Sequence, residues 1–267
     1  MKKMMTWALA LLAAFSVQAQ QVEPELADPK PGAQETWNAV KKTTLAWGST
    51  DVRYSRSQPA TGAKALVLDA WRGERVSAQA VLSTPVDLSR VTMEVSDLKC
   101  GKSIIPAASV RKYFVRYVMT DWHNNKADSF LLPDHLSPDA EMKVAAHTTR
   151  PMWLDIRVPQ DAKPGTYKGM LSVTFDGQTL SLPLSLQVCS RVLPAPSEWS
   201  FHLDLWQNPY AVARYFNVPL WSKEHFDRMR PIMKLLADAG EKVITCSIIQ
   251  HPWNSQTYDP FESMIAK

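Results

Sequence analysis

The chain has 267 residues, 45% of them hydrophobic and 21% charged, which is typical of a globular protein and excludes an intrinsically disordered one. The formal net charge is +4, and no cluster of Lys and Arg interleaved with aromatic residues occurs, so we do not expect nucleic acid as a partner. Ten tryptophans are many for this length, and they fit carbohydrate binding because an indole ring stacks on the apolar face of a sugar.

The first 19 residues have the pattern of a secretory signal peptide. Lys2 and Lys3 give a positive start, an apolar run follows over 4–15, and small residues around Ala19 form a cleavage site before Gln20. The apolar run is too short for a transmembrane helix, so we expect no membrane span. We therefore predict an exported protein, either periplasmic or extracellular. Removal of the two lysines subtracts two charges from +4 and leaves +2.

Residues 20–190 are predicted to form an amino-terminal β-sandwich domain. A polar leader over 20–63 contains one strand near 43–47, and from Ala65 onward apolar and polar residues alternate with period two. Such alternation is typical of strands that bury one face. No helical pattern intervenes, and turn signals such as Asp176-Gly177 separate the strands, as in a sandwich. The alternating runs are 65–71, 74–83, 90–98, 109–120, 151–159, 166–175 and 178–188.

Two places within this domain depart from the strand pattern. Residues 121–147 contain Pro133, Pro138 and several Asp and Asn turn formers, and we predict a long loop there, either functional or a simple surface excursion. Pro183 lies inside the last alternating run, where its missing N–H indicates an edge strand or a locally unpaired position.

Neither a metal nor a cofactor is expected. The six histidines never stand at metal-ligand spacing, and no phosphate-binding glycine loop, G-x-S-x-G or H-E-x-x-H motif occurs. Three cysteines specify no disulfide framework, although export would permit one bridge such as Cys100–Cys189. Cys246 lies in an apolar run and is expected to be a small buried hydrophobic residue.

The pattern changes after a proline-stiffened linker over 191–200. The following segment, 201–267, contains a predicted strand at 201–206, an amphipathic helix at about 222–239 and a second strand at 242–249. A strand, a helix and another strand form one βαβ unit of the parallel α/β folds. We therefore predict an incomplete α/β segment that forms the first βαβ unit of a truncated, TIM-type (β/α)₈ barrel.

The predicted helix carries its own boundary signals. Ser222 is the expected N-cap, and Gly240 is the expected stop at the carboxyl end. Pro231 falls inside the helix and is expected to kink it or to split its first turns from the rest.

Candidate substrate-binding residues lie at the ends of the two predicted strands. Asp204 and Trp206 share one face of the first strand, and His251 and Trp253 follow the second. Ligands bind at the carboxyl ends of strands in βα-built folds, so these four side chains are predicted to line a substrate pocket. The alternative is that both tryptophans plug the barrel top and that Asp204 satisfies a neighbouring backbone group.

Three segments carry a resemblance to glycoside hydrolase family 123. RGERVSAQAVLS from Arg72 and VPQDAKPGTYKGMLSV from Val158 resemble the amino-terminal β-sandwich of that family, and the segment from Leu205 onward (LWQNPYAVARYFNVPLWS) resembles the opening of its catalytic barrel. The resemblance implies a β-sandwich followed by a (β/α)₈ barrel and a β-N-acetylgalactosaminidase activity. It also implies a retaining, substrate-assisted mechanism in which an Asp orients the substrate's acetamido group and an adjacent Glu is the general acid/base.

The sequence departs from that family pattern at the catalytic pair. No adjacent Asp-Glu pair occurs, and Asp259 and Glu262, in the loop after the second predicted strand, do not match it, so no catalytic residue is assigned. A full barrel takes about 250 residues, and only 201–267 are available. We expect the amino-terminal part of an exported hydrolase, inactive by itself, whose partner is a glycan containing N-acetylhexosamine. The alternative is a non-catalytic carbohydrate-binding or interaction module in which the sandwich is the working part.

Overall fold

The computed structural model describes residues 25–32, 34–121, 129–205 and 207–243, and strands dominate these ranges. The helices are α1 Gln34–Trp37, α2 Pro209–Phe216 and α3 Lys223–Asp238. The strands are β1 Thr44–Gly48, β2 Leu66–Arg72, β3 Arg75–Thr84, β4 Leu88–Val95, β5 Leu98–Cys100, β6 Ser103–Ile105, β7 Val110–Thr120, β8 Phe130–Ser137, β9 Glu141–Val144, β10 Thr148–Arg157, β11 Gly165–Phe175 and β12 Gln178–Val192.

The strands form two sheets, as the alternation in the sequence predicted. One sheet has the order β1-β3-β10-β7-β8, and the other has the order β2-β12-β11-β4-β9, with β5 and β6 added beside β11. All paired strands are antiparallel except β2 and β12, which run parallel. One buried cluster takes side chains from both sheets, with Phe114, Leu154, Leu171 and Leu186 fully buried in it. The predicted β-sandwich is therefore present.

The leader packs on the outer face of the first sheet, which explains why β3 is buried along most of its length. The buried amide of Gln79 donates to the carbonyls of Ser49, at 2.6 Å, and Val52, at 3.1 Å. The Thr149 hydroxyl on β10 donates to the Gln58 carbonyl at 2.6 Å. These bonds pair the buried polar groups that the leader covers, which would otherwise be costly to bury.

Turn chemistry sets the register of β11 and β12. Asp176 (φ 44°) and Gly177 (φ 78°) both have positive φ, the conformation that a two-residue hairpin turn requires, and Phe175 pairs with Gln178. Pro183 pairs with Met170 on β11, whereas β2 begins to pair with β12 only at Leu184. Pro183 therefore lies at a position that is unpaired on the β2 side. A locally unpaired position was one of the two expectations for this proline, the other being an edge strand.

The long loop predicted over 121–147 is wrong for much of its length. Residues 122–128 lie outside the described residues, but β8 and β9 occupy most of the stretch 130–144. β8 pairs with β7 through a register shift between Arg116 and Tyr117, and Pro133 takes part in that pairing opposite Tyr117. An edge strand tolerates a proline because one side of its backbone has no ladder to maintain.

The segment after the linker is helical where it was predicted to be helical. α3 begins after Ser222, whose hydroxyl accepts from the His225 N–H at 3.1 Å, and it runs unbroken through Pro231, so the proline does not split it. The strand predicted at 201–206 is not formed over 201–205, which are irregular, and within the described ranges no ladder of backbone hydrogen bonds includes them. Most of the strand predicted at 242–249 lies outside the described residues.

The suggested Cys100–Cys189 disulfide is absent, and both thiols are free. Cys100 lies in β5 and Cys189 in β12, and these strands flank β11 on opposite sides. Two strand spacings, about 9–10 Å, separate such positions, beyond the Cα range of about 4.4–6.8 Å that a disulfide spans. Cys246 lies outside the described residues.

Candidate functional site

Of the four predicted substrate-binding residues, only Asp204 lies within the described residues. Its side chain is exposed in the irregular stretch that follows the linker. Trp206, His251 and Trp253 lie outside the described residues, so the pocket that these four were predicted to line stays a prediction. What the structure does place is the polar environment next to Asp204.

A buried carboxylate, Glu241, organises that environment. One of its oxygens, Oε1, accepts from the Leu205 backbone N–H at 3.1 Å and from the Gln207 amide at 2.5 Å. The side chain is about nine-tenths buried, and within the described ranges its other oxygen, Oε2, has no hydrogen-bond partner. Glu241 therefore ties the chain on both sides of position 206 to the end of α3. Sequence reasoning missed it, because its partners Leu205 and Gln207 are distant from it in sequence.

Asn208 and Pro209 start α2 immediately after this point. The Asn208 side chain accepts from the Ala211 N–H at 3.1 Å, and Pro209 occupies the first helical position, where its missing N–H costs nothing. α2 ends at Asn217, which adopts the left-handed conformation (φ 49°) common at helix ends. α2 therefore connects the segment that contains Asp204 to α3.

His225 is fully buried and joins the two helices. Its Nδ1 accepts from the Trp221 backbone N–H at 3.0 Å, so the proton lies on Nε2, which donates to the Pro209 carbonyl at 2.8 Å. Trp221 packs at 5.3 Å, centroid to centroid, from the imidazole ring. Both ring nitrogens are thus used in positioning α2 against α3. This histidine is a structural residue rather than a proton-transfer group.

The helical segment also contacts the linker. Gly240 (φ 107°) lies so close to the Trp199 indole that a Cβ there would be 2.7 Å from the ring, so no other residue fits without movement. The Trp199 Nε1–H donates to the Pro194 carbonyl at 3.0 Å, and its ring stacks on Phe201 at 5.1 Å. Linker aromatics therefore position the end of α3 and, through it, Glu241.

Among the described residues, the most buried ion pair of the sandwich is structural. Arg150 forms two bonds with Glu25, at 2.5 and 2.8 Å, donates to the Val115 carbonyl and lies 5.0 Å from the centroid of the Tyr117 ring. Burial acts to raise the pKa of Glu25, but the hydrogen bonds and charge of Arg150 outweigh it and hold that pKa below its usual value. Burial also raises the pKa of Tyr117 well above its usual value. We name this Glu25–Arg150–Tyr117 group the leader latch.

Within the described ranges, no group of three or more His, Cys, Asp or Glu side chains is arranged to hold a metal ion. No helix among the described residues is both long and apolar enough to span a membrane. Glu241 holds Leu205 and Gln207, the described residues near Asp204, in place. No adjacent Asp-Glu pair, which could act as acid and base, occurs among the described residues.

Comparison with known proteins gives two family matches. Residues 47–175 match the model described as glycoside hydrolase 123 N-terminal domain, and residues 206–267 match the model described as glycoside hydrolase 123, catalytic domain. No curated protein matches the sequence. The first of these matches falls on the β-sandwich, and the second begins at position 206, beside Asp204 and Gln207.

Among solved structures, a family 123 glycoside hydrolase from Clostridium perfringens, described in terms of glycolipid glycan hydrolysis, aligns with a TM-score of 0.77 at 25% identity. The alignment covers 84% of this chain and 41% of that one, so the chain spans about two fifths of the length of the matched enzyme.

Two further structures align weakly and carry no argument. The PapD-like domain of human CEP192 matches at 14% identity with a TM-score of 0.28, over 62% of this chain and 95% of that one. The CooA pilin subunit of Escherichia coli matches at 10% identity with a TM-score of 0.29, over 55% of this chain and 98% of that one. The two family models and the Clostridium perfringens structure agree with each other, and the chain belongs to glycoside hydrolase family 123.

Proposed function

We propose that this chain supplies the amino-terminal sandwich and the opening of the catalytic barrel of an exported hydrolase that cleaves glycosidic bonds to N-acetylhexosamines. The observation that carries the proposal is the alignment of 84% of the chain with a family 123 hydrolase at a TM-score of 0.77. That enzyme is described in terms of glycolipid glycan hydrolysis, and we propose glycans of the same kind as substrates here.

The proposed reaction is substrate-assisted and retains configuration at the anomeric carbon. The acetamido oxygen of the substrate attacks that carbon, an Asp orients the acetamido group, and a neighbouring Glu protonates the leaving oxygen and then activates water. No adjacent Asp-Glu pair occurs in these 267 residues. We therefore propose that the 267-residue chain alone does not turn over substrate.

The four predicted pocket residues have binding roles in this proposal. Trp206 and Trp253 stack on sugar rings, while Asp204 and His251 hydrogen-bond hydroxyl groups at the rim of the barrel. Glu241 accepts from the Leu205 N–H and from the Gln207 amide, and its role in this proposal is to hold the backbone next to Asp204 in place. Binding of this kind positions the substrate without acting on the bond that breaks.

The first experiment assays the purified 267-residue chain with a chromogenic β-N-acetylgalactosaminide, and we expect no release of the chromophore. In parallel, sequencing the gene beyond the Lys267 codon should reveal an open reading frame, in frame or frameshifted, that encodes an adjacent Asp-Glu pair. Turnover by the chain itself that disappears in Asp204→Asn would contradict the proposed inactivity. A stop codon followed by unrelated sequence would contradict the proposed barrel.

A fusion of residues 1–267 to the remaining catalytic segment of the Clostridium perfringens enzyme tests the rim. Trp206→Ala in an active fusion should lower kcat/KM about tenfold, which corresponds to about 1.4 kcal/mol of lost transition-state binding. Asp161→Asn, in an exposed turn of the sandwich, is the control and should leave kcat/KM unchanged. Equal activity of Trp206→Ala and the unmodified fusion would remove Trp206 from the pocket.

Export is tested by fractionation and mass spectrometry. The chain expressed in a Gram-negative host should appear in the periplasm or medium with a mass that corresponds to a start at Gln20, because the pattern around Ala19 is that of a signal-peptidase site. Replacing Ala19 with a bulky residue should block processing. Cytoplasmic accumulation with residues 1–19 intact would show that this segment is not a signal peptide.

A further inference from the structure

The second sheet of the sandwich carries an open groove on its outer face. The groove has a volume of about 390 Å³, and Asp69, Trp71, Glu74, Thr166 and Gln187 contribute to its lining. Its size falls within the roughly 300–1,000 Å³ of small-molecule sites. All of these residues lie in the sandwich, so the groove is formed by a different part of the chain from the Asp204 region.

Trp71 is the apolar wall of the groove, and its side chain is 47% exposed. Its backbone N–H donates to the Glu74 carboxylate at 2.6 Å across the turn that joins β2 and β3. That turn is tightly held, because the Gly73 N–H donates to the Val158 carbonyl at 3.0 Å and a Cβ on Gly73 (φ 81°) would be 2.7 Å from Gln160. The indole therefore lies beside a fixed turn between the two sheets, which reduces the entropy lost when a ligand binds it.

The floor of the groove is a row of polar side chains across three strands. Asp69 on β2 is the register partner of Gln187 on β12, and Gln187 is the register partner of Thr166 on β11. The three side chains are exposed, and within the described ranges none of them has a hydrogen-bond partner. Neighbouring strands are about 4.8 Å apart, so the row presents a carboxylate, an amide and a hydroxyl at intervals that suit the hydroxyl groups of a sugar ring.

We infer that this groove is a second glycan-binding site, which holds a neutral sugar ring with its apolar face on Trp71 and its hydroxyls on Asp69, Gln187 and Thr166. An exposed tryptophan beside unpaired acceptors and donors matches the mixed surface of a pyranose ring. The two carboxylates, Asp69 and Glu74, form no ion pair within the described residues, and they disfavour sialylated or sulfated glycans by repulsion. Such a site would hold the sandwich on a glycan chain independently of hydrolysis.

The test measures binding by the full 267-residue chain, without reference to catalysis. A neutral tetrasaccharide that ends in β-linked N-acetylgalactosamine is titrated by calorimetry, and the indole N–H resonance of Trp71 is followed by NMR. We expect saturable binding, a shift of that resonance and at least tenfold weaker affinity for the sialylated counterpart. Trp71→Ala should weaken binding about tenfold or more. Trp71→Phe should weaken it less, because phenylalanine keeps an aromatic ring on which the sugar can stack.

The control replaces an exposed apolar residue of similar exposure outside the groove. Ile104→Ala on β6 should leave affinity and the unfolding midpoint unchanged, and Trp71→Ala should also leave the unfolding midpoint unchanged. Gln187→Ala should weaken binding without an effect on folding. Unaltered affinity in Trp71→Ala overturns the inference. A large fall in the unfolding midpoint of Trp71→Ala overturns it as well, because the indole would then be covered by protein.

Discussion

The sandwich and the helical segment over 207–243 are held together by different forces. Every residue of the buried apolar cluster lies between Leu45 and Val188, and the cluster takes side chains from both sheets. Among the described residues of 207–243, Ala213 is the buried hydrophobic residue, and His225 and Glu241 are the buried polar ones. The sandwich is therefore stabilised chiefly by apolar burial and the helical segment by capping and side-chain hydrogen bonds.

The apolar stripe of α3 makes the contrast concrete. Met229, Met233 and Leu236 are only half-buried within the described chain, and Phe226 is 49% exposed. In a (β/α)₈ barrel such a stripe faces the strands, whereas in this chain polar anchors at the two ends of α3 position it. Within the described residues the helical segment thus buries less apolar surface than the sandwich, and we expect its local stability to be lower.

The largest effect is expected in the sandwich core. Phe114 on β7 is fully buried, and Phe114→Ala should lower the free energy of unfolding by about 3–5 kcal/mol through lost burial and a residual cavity. Met233→Ala in α3 is the comparison and should cost about 1 kcal/mol or less, because its side chain is already partly in water. Urea denaturation followed by tryptophan fluorescence measures both. Similar costs would mean that the helical segment has a core of its own.

The sandwich was predictable because most of its strands bury one face, although β3 and β10 are buried on both. Period-two alternation located β2, β3, β4, β7, β10, β11 and β12, and Asp176-Gly177 located a hairpin. β8 was missed because FLLPDHLS breaks the alternation around Pro133 and pairs through a register shift, which depends on its neighbour rather than on its own sequence.

The region of the candidate site was less predictable. α2 was missed, although Asn208-Pro209 is a recognisable N-terminal signal. The alternation in FHLDL indicated a strand over 201–205, but a strand exists only where a neighbour shares its hydrogen bonds, and the sequence of one segment cannot supply that neighbour. Glu241 was missed for the same reason, since its role comes from Leu205 and Gln207, which are distant in sequence.

The leader latch should give the next largest effect. Glu25→Gln leaves Arg150, which is 3% exposed, without its anionic partner, and we expect a loss of about 1.5–3 kcal/mol, the range for hydrogen bonds to charged groups. The matched control is Glu141→Gln, which breaks an exposed pair with Arg90 and should cost less than about 1 kcal/mol. Urea denaturation at neutral pH distinguishes them. Equal losses would show that the leader latch stabilises the sandwich no more than an exposed ion pair does.

The stabilisation that the leader latch provides should also decrease in acid, by part of the about 1.5–3 kcal/mol expected for its loss. The pKa of Glu25 is lower in the folded chain than in the unfolded one, where a glutamate titrates near about 4.3. The folded state therefore favours the charged form, and its contribution is complete above the unfolded pKa and is lost as pH falls through the lowered folded pKa. The difference in unfolding free energy between the unmodified chain and Glu25→Gln should shrink between about pH 7 and about pH 3.

This difference isolates Glu25 from the other acids. Asp139, Asp227 and Asp238 also have lowered pKa values, and they destabilise both chains in acid to the same extent. A constant difference across the pH range would mean that the glutamine substitution acts through packing rather than through charge.

The smallest effect tests whether the two regions unfold separately. The Ser222 hydroxyl caps α3 by accepting from the His225 N–H at 3.1 Å, and Ser222→Ala should cost about 1 kcal/mol of local helix stability. Hydrogen exchange should then quicken for the amides of α3 but not for those of β10, because the hydrogen bond of the cap joins Ser222 to His225 within the helical segment. Ser222→Asp, which replaces one capping residue with another, should keep the protection. Quickened exchange in β10 would couple the helical segment to the sandwich, and the two regions would then have to be treated as one cooperative unit.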